Sequence, residues 1–169
     1  MDEREALELA HKAVDATSGL DGVRLAINFH PMVSAHFRTA IRERIASLCD
    51  CRHVEFVEGG AEEWLGRTSI VLYSASGTAF EAVARGIPAI FVGSELALDL
   101  DKMAGQGGLR CRGVDELRRV ISRLLDDADF RRANVVAAQV HLRQCFTTPT
   151  AQVWSGLASG AQTALGSAA

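Results

Sequence analysis

The sequence predicts an α/β fold: a single doubly wound, Rossmann-like domain in which helices flank one parallel sheet. Apolar segments of strand length alternate with helical segments along the chain, and these apolar segments are short and continuous. Continuous apolar strands are typical of a parallel sheet that helical crossovers cover on both faces. The length of 169 residues suits one domain with a core of its own.

The predicted elements alternate in a regular order. A helix over residues 3–17 carries apolar positions at helical spacing and stops at Ser18-Gly19. The predicted strands cover residues 23–29, 53–57, 69–73, 88–92 and 109–112. The other predicted helices cover residues 34–48, 61–65, 78–85, 114–125, 129–143 and 150–161.

Composition and charge exclude several classes of function. The chain is 48% hydrophobic and 23% charged, and its 18 basic residues nearly balance its 21 acidic ones. Its arginines alternate with acidic residues and no aromatic side chains are interleaved with them, so we expect no nucleic-acid partner. No apolar run approaches the roughly 20 residues needed to cross a bilayer, so we expect no transmembrane segment.

The N-terminal residues and the cysteines predict a cytoplasmic protein. The chain begins with acidic residues, where a signal peptide requires a basic start and an apolar core. The cysteines lack the C-x-x-C spacing of a structural zinc site, so we expect no metal and four free thiols, at Cys49, Cys51, Cys111 and Cys145.

Residues that follow the predicted strands are the candidates for a binding site. In a doubly wound sheet, ligands bind beyond the carboxyl ends of the strands, near the point where the strand order reverses. Polar residues follow four of the strands: His30, Glu58, the segment 74–78 and the segment 93–95. We include Ser94 and Glu95 of the last segment among the predicted ligand-binding residues.

The segment between the third predicted strand and the next helix has the chemistry of a phosphate site. Ser74, Ser76 and Thr78 supply hydroxyl groups, and Gly77 lets a ligand approach the backbone near unpaired helix amides. Glu81 comes one turn later and is suited to accept hydrogen bonds from adjacent sugar hydroxyls. The alternative is structural, because Thr78 and Glu81 also have the spacing of a capping box.

His30-Pro31 follows the first predicted strand at the same edge of the sheet. A histidine there is suited to contact a phosphate or a base, and the alternative is a hydrogen-bonded structural histidine. If the first and third strands flank the point of reversal, His30 and Ser76 face one ligand from two sides.

Several common motifs are absent. No G-x-G-x-x-G follows the first strand, which disfavours a dinucleotide oxidoreductase. The sequence Gly66-Arg-Thr-Ser lacks the first glycine and the lysine of a P-loop. A serine-hydrolase turn requires glycine where Ser74 stands, and a receiver domain requires aspartate where the third strand ends in Tyr73-Ser74.

The segment Ser76-Gly-Thr-Ala-Phe-Glu-Ala-Val-Ala-Arg-Gly-Ile-Pro88 resembles the donor-binding, C-terminal half of GT-B glycosyltransferases, an architecture shared by the nonhydrolysing UDP-N-acetylglucosamine 2-epimerases. The resemblance implies a nucleotide sugar as substrate, with the Ser/Gly turn on the phosphates and Glu81 on the ribose, and no other cofactor. His30-Pro31 is similar to the pair that contacts the phosphate of CMP-sugars in bacterial sialyltransferases and Kdo transferases. The longer motif favours UDP over CMP.

The resemblance also implies an organisation of the chain. Residues 1–20 are expected to be a connector helix, residues 21–169 the nucleotide-sugar-binding domain, and the last helix the one that crosses back to a second domain. The acceptor-binding half has no counterpart here, so a missing domain or a separate subunit is expected, and the catalytic residues are unknown. The implied reaction is glycosyl transfer in the synthesis of a surface polysaccharide or glycoconjugate. The alternatives are a noncatalytic nucleotide-binding or partner-docking module and part of a nucleotide-sugar 2-epimerase.

Overall fold

A computed structural model describes residues 3–30, 32–48, 52–74, 76–96, 101, 103 and 108–146. Pro31, Cys49, Cys51 and the predicted helix 150–161 lie outside these ranges.

Within the described ranges, helices and strands follow one another in nearly the predicted places. The helices are α1 (Glu3–Thr17), α2 (Ala35–Leu48), α3 (Ala61–Leu65), α4 (Thr78–Ala84), α5 (Val114–Asp126) and α6 (Ala128–Cys145). The strands are β1 (Leu25–Asn28), β2 (Val54–Val57), β3 (Val71–Tyr73), β4 (Ala89–Val92) and β5 (Leu109–Cys111). These assignments confirm the α/β class, with each predicted strand trimmed by one to three residues.

The strands form two parallel ladders. Strand β1 pairs with β2, and β3, β4 and β5 pair in that order. All pairings are parallel, as predicted for a sheet with helical crossovers.

The prediction of one continuous sheet differs from this arrangement, because no backbone ladder joins β1 to β3 among the described residues. The third strand begins at Val71 instead of residue 69, since the carbonyl of Ser69 accepts a hydrogen bond from the Arg131 side chain of α6 (3.1 Å). The pairing of β3 is therefore three residues long.

The ladder β3–β4–β5 is covered on both faces. Ile90 and Val92 of β4 pack in one cluster with Ala16 of α1 and with Leu117, Ile121 and Leu124 of α5. Phe91, between them in β4, points to the other face and packs with Ala79 and Val83 of α4 and Ala138 of α6. Successive strand residues point to opposite faces, so a strand whose residues are all buried must be covered on both.

Helix α1 contacts the elements of both ladders. Val14, which is 2% exposed, packs with Ile41 and Ile45 of α2 and with the half-buried residues of β1 and β2. At the end of the helix, the Arg118 guanidinium of α5 donates to the carbonyls of Asp15 and Ala16. Within the described ranges, no helix is long and apolar enough to cross a membrane.

Candidate functional site

The turn after β3 presents two hydroxyl groups side by side. Ser76 Oγ donates to Thr78 Oγ1 (2.9 Å) and accepts from the Thr78 amide (3.2 Å). The Thr78 hydroxyl accepts in this pair, so its own proton is available to a further acceptor. Ser76 and Gly77 are exposed, and Ser74 and Thr78 are partly buried. The turn thus offers hydroxyl donors to a ligand in front of α4.

Gly77 leaves space at the start of α4. It is the N-cap residue, with φ −69° and ψ −16°, a conformation open to other residues. A Cβ built at this position meets nothing within 4 Å. Because glycine has no side chain, a ligand can approach the backbone at Gly77.

The capping-box alternative for Thr78 and Glu81 is not formed. Helix α4 begins at Thr78 with Gly77 as its N-cap, so Glu81 lies one position beyond the place that a capping-box glutamate occupies. The Glu81 side chain is exposed and has no hydrogen bond or ion pair to the described residues. Its carboxylate is therefore available to a ligand.

The Gly86-Ile-Pro88 part of the motif has a structural role. Gly86 adopts φ +77° directly after α4, a conformation that glycine adopts at little cost. Ile87 and Pro88 are buried and lead into β4. This part of the motif ends the helix and does not contribute a polar group to the site.

The loop after β4 is held by two side chains of α1. Glu8 accepts from Ser94 Oγ and from the Glu95 amide (2.9 Å), and Lys12 donates to the Gly93 carbonyl (2.9 Å). Lys12 Nζ also lies 2.7 Å from Glu8 Oε1, and the two side chains are 12% and 18% exposed. We call this set of contacts the Glu8–Lys12 cluster.

The cluster changes the electrostatics of Glu8. Burial opposes the charged form of this carboxyl, but hydrogen bonds from Lys12, Ser94 and the Glu95 amide outweigh it and lower the pKa of Glu8 below its ordinary value. The carboxylate is thus ionised at neutral pH and is the acceptor on which the loop converges.

Ser94 and Glu95, both predicted ligand residues, lie in different surroundings. Ser94 is 5% exposed, and its hydroxyl donates to Glu8 and accepts from the Leu96 amide (2.9 Å). Glu95 is exposed, and its side chain has no partner among the described residues. Of the two, Glu95 is the one whose side chain is open to a ligand.

A second polar network includes Tyr73, the strand residue that precedes the turn. Tyr73, the last residue of β3, donates its hydroxyl to Asp101 Oδ1 (2.7 Å), which also accepts from the Met103 amide (2.9 Å). Arg110 Nε of β5 lies 3.5 Å from Asp101 Oδ2, and the Asp101 side chain is 1% exposed. Burial and the hydrogen bond to Asp101 raise the pKa of Tyr73. Asp101 thereby connects β3, the strand that precedes the turn, with Arg110 of β5.

His30 lies after β1, on the other ladder. It is exposed, and its Nδ1 accepts from the Met32 amide (3.2 Å). An Nδ1 that accepts a hydrogen bond carries no proton, so the neutral ring is protonated on Nε2 and can donate from there. No described hydrogen bond joins His30 to the turn, and its contact with the same ligand as Ser76 stays a prediction.

The structure therefore brings together two of the predicted groups. Tyr73 of β3 pairs with Phe91 of β4, so the turn 76–78 and the loop 93–96 leave one edge of one ladder from neighbouring strands. The sequence analysis did not identify Glu8 and Lys12 as part of the site. Their i,i+4 spacing predicts only that the two side chains form an ion pair on one face of a helix. Asp101 was missed as well, since no sequence pattern connects it with Tyr73 across 28 positions.

Among the described residues, one concave feature lies away from this edge. An open cavity of about 350 Å³ at the edge strand β5 is lined by Phe91, Arg110, Cys111, Arg112 and Glu116. Burial raises the pKa of the Cys111 thiol to about 11, which leaves it protonated and unreactive at neutral pH. Among the described residues, no three histidine, cysteine or acidic side chains are grouped to hold a metal ion.

Solved structures with low sequence identity share this fold. Anabaena Alr3699/HepE in complex with UDP-glucose matches with a TM-score of 0.67 and 17% identity, over 91% of this chain and 46% of HepE. HepE in complex with UDP and glucose matches with a TM-score of 0.65 and 15% identity, over 93% of this chain and 45% of HepE. The C-terminal domain of LpcC, a glycosyl transferase group 1 family protein from Francisella tularensis, matches with a TM-score of 0.61 and 12% identity, over 85% and 80% of the two chains.

These comparisons confirm the predicted fold class and the structural resemblance to GT-B glycosyltransferases over most of the chain. The chain spans about half the length of HepE and most of the LpcC C-terminal domain. No protein family and no curated protein matches the sequence.

Proposed function

We propose that the chain is the donor-binding domain of a GT-B glycosyltransferase and binds a nucleotide sugar at the carboxyl edge of the ladder β3–β4–β5. One observation carries the proposal: the open Ser76-Gly77-Thr78 turn is followed, one helical turn later, by the Glu81 carboxylate, which has no partner among the described residues. This arrangement lies at the end of a parallel strand, where doubly wound folds bind ligands. The match to HepE, which was solved with UDP-glucose, supports the ligand class.

Each group of the turn has a chemical role in this proposal. The Thr78 hydroxyl donates to the phosphate oxygens, Ser76 beside them donates to Thr78 and orients that hydroxyl, and Gly77 lets the oxygens approach the backbone. Glu81 accepts hydrogen bonds from the two adjacent ribose hydroxyls, a charge-assisted contact that a phosphate would not make with a carboxylate. Ser74 and the His30-Pro31 pair are further contacts of the same ligand.

The turn would act on the leaving group. When the sugar leaves the nucleotide, negative charge grows on the phosphate oxygens, and preorganised donors stabilise that charge without reorganising. We assign no catalytic base to this chain. An acceptor-binding domain or a separate subunit would supply it, with residues 1–20 as the connector to that half and residues 21–169 as the donor-binding domain.

The proposal extends to the nucleotide, the cellular compartment and the product. We favour UDP over CMP as the nucleotide, because the longer of the two sequence motifs is the one shared with UDP-sugar enzymes. Cys111 and Cys145 are free thiols, which suits the reducing cytoplasm. We propose a surface polysaccharide or another glycoconjugate as the product.

Two other functions use the same site. A noncatalytic module would bind the nucleotide with no transfer in the presence of any partner domain. Part of a nucleotide-sugar 2-epimerase would release a free or epimerised sugar instead of a glycoside. Incubating the chain and its partner with UDP-glucose and separating the products distinguishes these outcomes from glycosyl transfer.

A substitution at Glu81 tests the binding site. Glu81→Gln removes the charged acceptor, and we expect the affinity for UDP to fall about tenfold, the size of one charge-assisted hydrogen bond. Because Glu81 is exposed and has no partner in the described part of the chain, the free energy of unfolding should change by less than about 0.5 kcal/mol. Titration calorimetry and urea unfolding measure the two quantities.

The matched control is Glu62→Gln, an exposed glutamate in the first turn of α3, after a strand of the other ladder. It should change neither affinity nor stability. Lowered stability with unchanged affinity in Glu81→Gln would return Glu81 to a structural role and remove the main support for the proposal.

A further inference from the structure

The Glu8–Lys12 cluster fixes the loop after β4 from outside that loop. Gly93 is attached to the ladder through its amide, which donates to the Cys111 carbonyl (2.9 Å), and to α1 through its carbonyl, which accepts from Lys12. Ser94 and Glu95 each add one hydrogen bond to Glu8. Three consecutive residues are thus tied to two side chains of one helix.

Core packing does not require this cluster. The α1 residues Leu9 and Ala16 pack in the apolar cluster that contains Val92, and Glu8 and Lys12 are not members of it. Desolvating an ion pair costs free energy that an apolar pair avoids. What an aliphatic pair cannot supply is the set of directed hydrogen bonds that determine the path of residues 93–95.

The path of the loop brings one side chain to the ligand edge. Tyr73 and Phe91 are paired across β3 and β4, and neighbouring strands lie about 4.8 Å apart. Ser76 and Glu95 follow these paired residues at the same edge of the ladder. The Ser94 hydroxyl is used by Glu8 and Leu96, whereas the exposed Glu95 side chain has no partner among the described residues.

We infer that Glu8 and Lys12 are positioning residues that hold Glu95 to accept hydrogen bonds from vicinal hydroxyl groups of the bound nucleotide sugar. The inference rests on the proposed function. A carboxylate next to the phosphate turn repels phosphate, but its two oxygens match two adjacent hydroxyls. Such hydroxyls occur both in the ribose and in the transferred sugar, and the ligand series below separates the two sources.

The test compares three ligands in calorimetric titrations of the full chain: UDP-glucose, UDP and 2′,3′-dideoxyuridine diphosphate. The variants are Glu8→Gln, Glu95→Gln and the double substitution. The matched control is Asp15→Asn, which alters the other i,i+4 pair of α1, His11 with Asp15, at a position without contact to the loop. Amide hydrogen exchange at Glu95 reports whether the loop is still held.

We expect each single variant to weaken UDP-glucose binding about fivefold, with the double variant no weaker than Glu95→Gln alone, since Glu8 acts through Glu95. Asp15→Asn should bind like the wild type. Exchange at the Glu95 amide should accelerate in Glu8→Gln, because Glu8 Oε1 accepts from that amide. If UDP binding is unchanged, the hydroxyls belong to glucose; if UDP is weakened equally and the dideoxy compound is not, they belong to ribose.

Three results overturn the inference alone while wild-type binding persists: Glu8→Gln binding like Asp15→Asn, additive losses in the double variant, or an equal loss for the dideoxy compound. The last result would mean that the substitution disturbs the turn in general. A wild-type chain that binds none of the three ligands would contradict the proposed function itself.

Discussion

The two ladders differ in how their faces are covered. In β4, Ile90, Phe91 and Val92 are all buried, with α1 and α5 on one side and α4 and α6 on the other. In β1 the residues alternate, with Leu25 and Ile27 partly buried under α1 and α2 and Ala26 and Asn28 exposed. The ladder β3–β4–β5 is packed on both faces, whereas strand β1 is packed on one.

This difference divides the candidate site residues into two groups, because one group follows strands that are more firmly packed than the strand before the other. The turn 76–78 and the loop 93–96 follow strands of the ladder that is packed on both faces. Gly93 of that loop donates to the Cys111 carbonyl of β5 and accepts from Lys12 of α1. His30 follows β1, the strand that is packed on one face, and its Nδ1 accepts a hydrogen bond from the nearby Met32 amide. Precise positioning of a ligand requires side chains held by packing on rigid elements. We therefore expect the binding energy to come mainly from the first group.

The largest expected effect is on stability. Ile90→Ala removes a fully buried side chain from β4 and should lower the free energy of unfolding by about 3 kcal/mol. Ile27→Ala, at a partly buried position of β1, should cost about 1 kcal/mol, because less of its surface is transferred from water. Urea unfolding followed by circular dichroism measures both. Equal losses would contradict the difference in coverage.

A smaller effect is expected on ligand affinity when Gly77 is replaced, and Gly60 provides the comparison because it has the same position in the other ladder. Gly77 and Gly60 are the N-cap residues of the helices after β3 and β2, and a Cβ at either position meets nothing within 4 Å. Valine at either N-cap should cost less than about 1 kcal/mol of stability. At position 77 it also fills the space proposed for the phosphates, so Gly77→Val should lower UDP affinity at least about tenfold.

Gly60→Val is the control for that substitution, since it introduces the same side chain at the other ladder. It should leave UDP affinity unchanged in the same calorimetric titration. Similar affinities for Gly77→Val and wild type would place the phosphates away from the turn.

The smallest expected effect is a pH dependence of stability from Glu8. The pKa of Glu8 is lowered in the folded chain, so its contribution to stability is complete above the pKa of an unfolded glutamate and is lost as pH falls through the folded value. The wild type should therefore exceed Glu8→Gln in stability at pH 7, with the gap narrowing between about pH 5 and 3. Urea unfolding at several pH values measures the gap, and a constant gap would show that the Glu8 charge contributes nothing.

The sequence predicted the fold class and most element positions, because apolar runs and glycine or proline stops are local signals. It also located the turn 76–78, whose hydroxyls, glycine and following glutamate are contiguous in the chain. It left the capping box open, since a shift of one residue in the start of α4 decides whether Thr78 or Gly77 is the cap.

Contacts between residues far apart in the chain could not be predicted from the sequence. Glu8 and Ser94 are 86 positions apart, and neither carries a pattern that selects the other. Likewise, the Ser69 carbonyl accepts from Arg131, 62 positions away, and no local pattern pairs these two residues. Tertiary geometry decided both.

The most direct test of the central claim is an NMR titration of the ¹⁵N-labelled chain with UDP-glucose. Binding at the carboxyl edge of β3–β4–β5 predicts that the amides of residues 76–81 and 93–96 shift together and saturate with one dissociation constant, while those along the exposed face of α6 do not move. Shifts confined to the cavity lined by Arg110 and Arg112, or no shifts at millimolar UDP-glucose, would contradict it.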